Sequence, residues 1–138
     1  MNFNQKLYQL LTEMQVIDQT SLDLAFTKST EKKKDFVELL FKEGLITDVD
    51  LGRVIADLFK VPFVDLKQEH IDDDVLRLVP QRVAKRQNVI AFEKTATELK
   101  LAMNNPGNMQ LRENLEKKMN LPIKAYYATE ADIKRTLN

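Results

Sequence analysis

One histidine, His70, sits in the stretch EHIDDD beside Glu69 and Asp72. A histidine among carboxylates has the donors for a divalent metal, and its imidazole is a general base near neutral pH. The ordinary reading of a lone histidine in such a polar stretch is a loop residue. Asp72, Asp73 and Asp74 open a predicted helix, whose dipole favours negative charge without any calcium. Ser21 and Ser29 have no histidine neighbour in the sequence, so no nucleophilic triad assembles along the chain. Cysteine is absent, which removes disulfides, thiolate nucleophiles and cysteine-based zinc sites. The glycines are Gly44, Gly52 and Gly107, and no GxxxxGK[ST] occurs, so no glycine-rich phosphate cradle can form. No catalytic group, metal site or cofactor is expected. Two basic clusters stand out, Lys32 to Lys34 and the Arg82, Lys85 and Arg86 trio on one helix; each could meet an acidic partner, although such runs are ordinarily solvated faces.

The overall charge limits the partners. Lys plus Arg and Asp plus Glu both number 21 in 138 residues, giving a formal net charge of zero. Residues 1–60 carry 8 basic and 10 acidic side chains, and residues 61–138 carry 13 and 11. A nucleic-acid binder releases counterions through a basic excess that this chain lacks, so no nucleic acid is expected. The 43% apolar content supports a real core. No apolar run approaches the roughly 20 residues of a bilayer span, and MNFNQKLYQLL lacks a signal-peptide pattern. A soluble, intracellular protein without direct membrane insertion is the expectation.

The elements that would position these groups fall into two halves. Over residues 1–60 apolar residues recur three and four apart, the mark of amphipathic helices. The pattern then repeats. A shift of 29 residues places Leu7 on Phe36, Leu10 on Leu39, Leu11 on Leu40, Val16 on Leu45, Ile17 on Ile46, Leu22 on Leu51 and Phe26 on Ile55. This is the signature of a tandem helical hairpin. Thr47 with Asp50 makes a capping-box-like helix start, and Asp18 can cap in the first copy. Gly44 suits a left-handed helix end, whereas Gln15 at the equivalent place accepts positive φ less readily.

From residue 61 the texture changes. VPFVDL reads as a strand, and Asp72 can cap a helix running to about Gln87 that Pro80 should bend or interrupt. Val89 to Phe92 and Leu99 to Met103 read as antiparallel strands, and NNPGN leads into a helix over 109–119. Residues 122–127 give another strand, and Thr129 with Asp132 caps a terminal helix. The expected fold is α+β: a four-helix tandem hairpin repeat over 1–60, followed by a β-α-β-β-α-β-α unit over 61–138.

The order EGLITDVDL, LFKVPFVDL, DDDVLRLVPQRVAKRQNVIAF, LKLAMNNPGN resembles the N-terminal domain of the type II secretion and type IV pilus assembly ATPases. The resemblance runs over roughly residues 5–137, and VPFVDL, LVPQRVAKRQNVIAF and LAMNNP are its most specific parts. It implies a non-catalytic domain that docks the motor onto the cytoplasmic part of an inner-membrane platform protein. The hexameric ATPase core of that family is not among these residues, so the chain is expected to be an N-terminal fragment or a stand-alone copy. Its expected place is the cytoplasm, peripheral to the inner membrane through partners.

Some relatives bind cyclic di-GMP through two motifs, RLGxxLxxxGxxxxxxLxxxLxxQ, five residues apart, which implies the 29-residue offset found here. In the second copy Phe36, Leu40, Leu51 and Ile55 fit the apolar positions and Gly44 fits the central glycine. Asp35 stands for the arginine, Val37 for the first glycine and Leu58 for the glutamine. In the first copy Leu7, Leu11, Leu22 and Phe26 fit, and Lys6 partly replaces the arginine. There Tyr8 and Gln15 stand for the glycines, and Ser29 for the glutamine. On this alternative the nucleotide-binding residues would be Lys6, Leu7, Leu11, Leu40 and Gly44. The packing positions are kept while those that would meet a ligand are lost. Asp35 would oppose an anion by on the order of 1 kcal/mol when partly desolvated, so the resemblance favours docking over cyclic di-GMP binding.

Overall fold

A computed structural model describes residues 1–138, which divide into two compact units, Met1–Leu58 and Phe59–Asn138.

The first unit is built from α1 (Phe3–Met14), α2 (Gln19–Glu31), α3 (Phe36–Glu43) and α4 (Asp48–Phe59), the last residue of which opens the second unit. Each helix start is satisfied by a nearby side chain. Asn2 and Gln5 form a reciprocal capping box at α1, Asp18 accepts from the Ser21 N–H at 3.1 Å, and Asp35 accepts from the Glu38 N–H at 3.2 Å. Thr47 Oγ1 accepts from the Asp50 N–H at 3.2 Å, so Asp18 and Thr47, 29 residues apart, both cap as their types suggest. The helix ends obey the same offset. Gly44 closes α3 at φ 63° and Gln15 closes α1 at φ 55°, both left-handed.

The core of this unit follows the repeat. Leu7 and Phe36, Leu11 and Leu40, and Leu22 and Leu51 are fully buried, each pair one repeat apart. Fully burying such side chains stabilises by roughly 1.5–3 kcal/mol each, which is what maintains the hairpins. Val16 departs from this pattern and is exposed, as are Leu24 and Met14. Val16 lies in the turn between α1 and α2, where apolar identity brings no buried face.

In the second unit, a turn of 3₁₀ helix (Leu66–Gln68) is followed by α5 (Asp73–Leu76) and α6 (Gln81–Gln87). Then come β1 (Val89–Lys94), β2 (Leu99–Met103), α7 (Met109–Met119), β3 (Ile123–Tyr127) and α8 (Glu130–Leu137). The sheet order is β1-β2-β3, with β1 and β2 antiparallel and β2 and β3 parallel through α7. Val89, Ile90 and Ala91 are fully buried, and α5 and α6 both pack on β1.

Three expectations are corrected here. VPFVDL forms no full strand: only Phe63 bridges Tyr127, through Tyr127 N–H to Pro62 O at 2.9 Å and Val64 N–H to Tyr127 O at 3.0 Å. Proline has no N–H to extend that ladder. The expected helix over 72–87 is two short helices separated by residues 77–80, with Pro80 immediately before the second one. Asp72 precedes α5 but makes no capping bond with its side chain; its carboxylate lies 3.6 Å from His70 Nε2 instead. Thr129 does cap α8, accepting from the Asp132 N–H at 3.2 Å.

A bulge sets the β1–β2 register. Ala91 opposes Leu101 and Glu93 opposes Lys100, so Phe92 is the extra residue. Unbroken pairing would place Phe92 opposite Lys100. The bulge brings Glu93 there, and Lys100 Nζ sits 3.0 Å from Glu93 Oε1. That hydrogen bond, aided by nearby negative charge, raises the Lys100 pKa above its usual value. Phe92 is free to turn edge-on to Tyr126, with ring centroids 5.0 Å apart.

Candidate functional site

The residues that match the tandem motif all lie in the helical unit, and they separate by depth. Leu7 and Leu11 on α1 and Leu40 on α3 are fully buried core residues. Lys6 is exposed on α1, and Gly44 is exposed at the end of α3. A Cβ built on Gly44 would meet nothing within 4 Å, so only its positive φ requires glycine. The fold therefore leaves Lys6 and Gly44 at the surface and uses the three leucines for packing.

The positions where a ligand-approach glycine or a cation would be expected have other occupants. Tyr8, at the first glycine of the first copy, stacks on Phe26 with centroids 4.5 Å apart and an interplanar angle of 24°. Phe26 in turn lies edge-on to Phe36 at 5.2 Å. The Tyr8 hydroxyl donates to Asp23 Oδ1 at 2.6 Å, and Gln19 Nε2 donates to the same oxygen at 2.9 Å. The short bond to a carboxylate holds the Tyr8 pKa above its ordinary value and that of Asp23 below its own, with Gln19 lowering the latter further. Thr12 Oγ1 donates to Tyr8 O at 2.9 Å and accepts from Gln19 at 3.3 Å, completing a polar tie between α1 and α2. Asp35 is committed to its helix cap, and the hydroxyl of the buried Ser29 donates to Phe26 O at 2.7 Å.

Beside the Tyr8–Phe26 stack runs an open groove of about 390 Å³, also lined by Met1, Gln5, Gln9, Thr12 and Glu13. Sequence reasoning noted Tyr8 only as a missing glycine and did not find this cluster. One signal was available: Tyr8 and Phe26 lie nine residues either side of Ile17, so a hairpin turning there brings them level.

The remaining candidates do not converge. His70 is 94% exposed, and no group of three or more His, Cys, Asp or Glu residues is placed to hold a metal. Ser21 Oγ donates to Asp18 at 2.9 Å as part of a helix cap. No helix is long and apolar enough to cross a membrane.

The family model of the MshEN domain matches residues 59–138, more than half of the chain. The chain belongs to the MshEN family. It is 24% identical over 132 residues to the type IV pilus assembly ATPase PilB of Myxococcus xanthus, covering 96% of this chain and 23% of that protein. For PilB of Thermus thermophilus the identity is 25% over 130 residues, covering 93% and 15%. This MshEN chain thus spans less than a quarter of the length of these relatives. Among solved structures, MshE with cdg superposes with a TM-score of 0.73 at 21% identity over 95% of both chains. The N-terminal domain of XpsE does so with a TM-score of 0.67 at 16% identity, covering 99% and 95%. The α+β fold is the one these domains share, and the family match makes residues 59–138 an MshEN domain.

Proposed function

We propose that this MshEN domain is a non-catalytic docking module that joins a secretion or pilus motor ATPase to the cytoplasmic part of its inner-membrane platform. The observation that carries the reading is the reuse of the ligand positions for structure. Tyr8 is locked onto Phe26 and Asp23, and Asp35 caps α3, so the helical unit keeps its packing while its nucleotide-facing groups have other employment. A domain with a maintained fold and no convergent chemistry fits a partner surface better than a reaction. On this reading the protein works in the cytoplasm, held at the inner membrane through its partner, with the ATPase core as its covalent neighbour. We also propose that the two units, 1–60 and 61–138, are its subdomains. Titration with the platform's cytoplasmic domain from the same genome tests the docking: micromolar binding is expected, and no binding at high micromolar concentration would refute it.

A second reading is a cyclic di-GMP receptor, favoured by the likeness to MshE with cdg and by the left-handed helix ends retained at Gln15 and Gly44. Lys6 and Gly44 would then be its exposed contacts, with Leu7, Leu11 and Leu40 beneath them. Calorimetry with cyclic di-GMP separates the two readings. Docking alone expects no heat, and saturable heat would establish the receptor.

A further inference from the structure

The second unit carries a charge surplus that nothing in its surroundings neutralises. From Val75 to Phe92 the chain has Arg77, Arg82, Lys85 and Arg86 and no acidic residue. All four cations are exposed, and none is within ion-pair distance of a carboxylate. Arg82, Lys85 and Arg86 stand three and four apart on α6 and so share one face of it. The opposite side of α6 holds the fully covered Ala84.

The neighbouring helix offers no compensation. α6 packs on α8, whose acids are already engaged: Glu130 with Lys134 at 2.9 Å, and Asp132 with Arg135 at 2.6 Å and Lys67 at 3.7 Å. A chain with a formal charge of zero has therefore concentrated unpaired cations on one short helix. Two of the three are arginines, whose planar guanidinium matches a carboxylate bidentately and loses less order on pairing than an ammonium.

From this we infer that the α6 face, Arg82, Lys85 and Arg86 with Arg77 at the end of α5, receives an acidic segment of a protein partner, with carboxylates spaced three and four apart along a helix. The inference rests on the docking reading above and gives that docking a face and a chemistry. The size of the face argues for a short protein segment over an extended polyanion. Seven helical residues span about 10 Å, and a nucleic acid or bilayer reaching beyond them would meet Asp72, Asp73 and Asp74, all exposed at the start of α5, which also packs on β1. Complementary charge of this kind sets encounter rate and register, and it weakens with added salt.

The test uses the whole 138-residue chain. The platform's cytoplasmic domain is titrated against the unaltered protein, against the triple variant Arg82→Glu, Lys85→Glu, Arg86→Glu, and against Lys32→Glu, Lys33→Glu, Lys34→Glu as a charge-matched control. Because the altered residues are exposed, circular dichroism should be unchanged; the milder glutamine triple at 82, 85 and 86 serves if it is not. The expected result is a loss of about tenfold or more for the α6 variant, a loss that shrinks as salt rises, with the control binding like the parent. Equal binding by the parent and the α6 variant would overturn the face while leaving docking intact. No binding by the parent would overturn docking, and the inference with it. Duplex DNA and phosphatidylglycerol vesicles are run alongside, and tight binding to either that is lost in the α6 variant would overturn a protein occupant in favour of a polyanion.

Discussion

The two equivalent helix ends, Gln15 and Gly44, allow the backbone to be tested at matched positions. Both are left-handed, at φ 55° and φ 63°, but only one is glycine. Gln15 is exposed and its side chain makes no hydrogen bond, so its conformation is held by the chain around it. A residue with a Cβ in this region costs roughly 1–2 kcal/mol. Glycine avoids that cost but gives the unfolded chain more freedom, which takes back about 0.4–1 kcal/mol. Gln15→Gly should therefore stabilise the helical unit by about 0.5–1 kcal/mol. Gly44→Ala should destabilise it by a similar amount, since an added Cβ meets no atom within 4 Å and only the backbone term remains. Urea unfolding followed by circular dichroism measures both: the midpoint should move up for the first and down for the second, with unchanged slope. A neutral or destabilising Gln15→Gly would refute the reasoning, as would a neutral Gly44→Ala. Either result would mean that the conformation at these ends is set by something other than the missing or present Cβ.

Three further outcomes follow from other contacts. Tyr8→Phe should return the Asp23 pKa toward the ordinary value of about 3.9, read by carboxyl NMR titration. Because folding lowers the Asp23 pKa, its contribution is fully present above the unfolded value and lost as pH falls through the folded one. Tyr8 itself is raised, so its contribution is present below its unfolded pKa and lost as pH rises through the folded one. The variant should flatten both limbs of the stability-against-pH curve, and unchanged limbs would contradict the bond. Leu40→Ala, at a fully buried position, should cost about 2–5 kcal/mol in a denaturant melt; a cost under about 1 kcal/mol would place that leucine at a surface, as a ligand contact requires. Thr129→Ala should cost about 1 kcal/mol through the lost cap on α8, with Thr129→Ser recovering most of it.

The features that were legible in the sequence are those set by short-range chemistry. The 29-residue offset correctly paired Leu7 with Phe36, Leu11 with Leu40 and Leu22 with Leu51 as core, and residue type alone identified the caps at Asp18, Thr47 and Thr129. Pro80 interrupted its helix for the reason proline always does. What failed depended on partners distant in sequence. Phe63 and Val64 have strand-forming types, but the length of a strand is decided by the neighbouring ladder, and Tyr127 supplies a single bridge. The Tyr8, Asp23 and Phe26 cluster joins residues 15 and 18 positions apart, and helix periodicity says nothing about which faces of α1 and α2 meet. The register shift at Phe92 was invisible because a bulge leaves strand composition unchanged.

The division of the chain into Met1–Leu58 and Phe59–Asn138 has an evolutionary consequence. The stretch that identifies the family, residues 59–138, coincides with one unit, while the tandem motif positions from Lys6 to Leu58 lie in the other. Changes at the tandem motif positions and changes at the residues matched by the family model thus fall in separate units. A gene can exchange Tyr8 for a glycine, or Asp35 for an arginine, without touching a residue that the family model matches. Family membership and the character of the motif positions are free to drift at different rates in such a protein, and inheritance of the second unit carries no guarantee about the first.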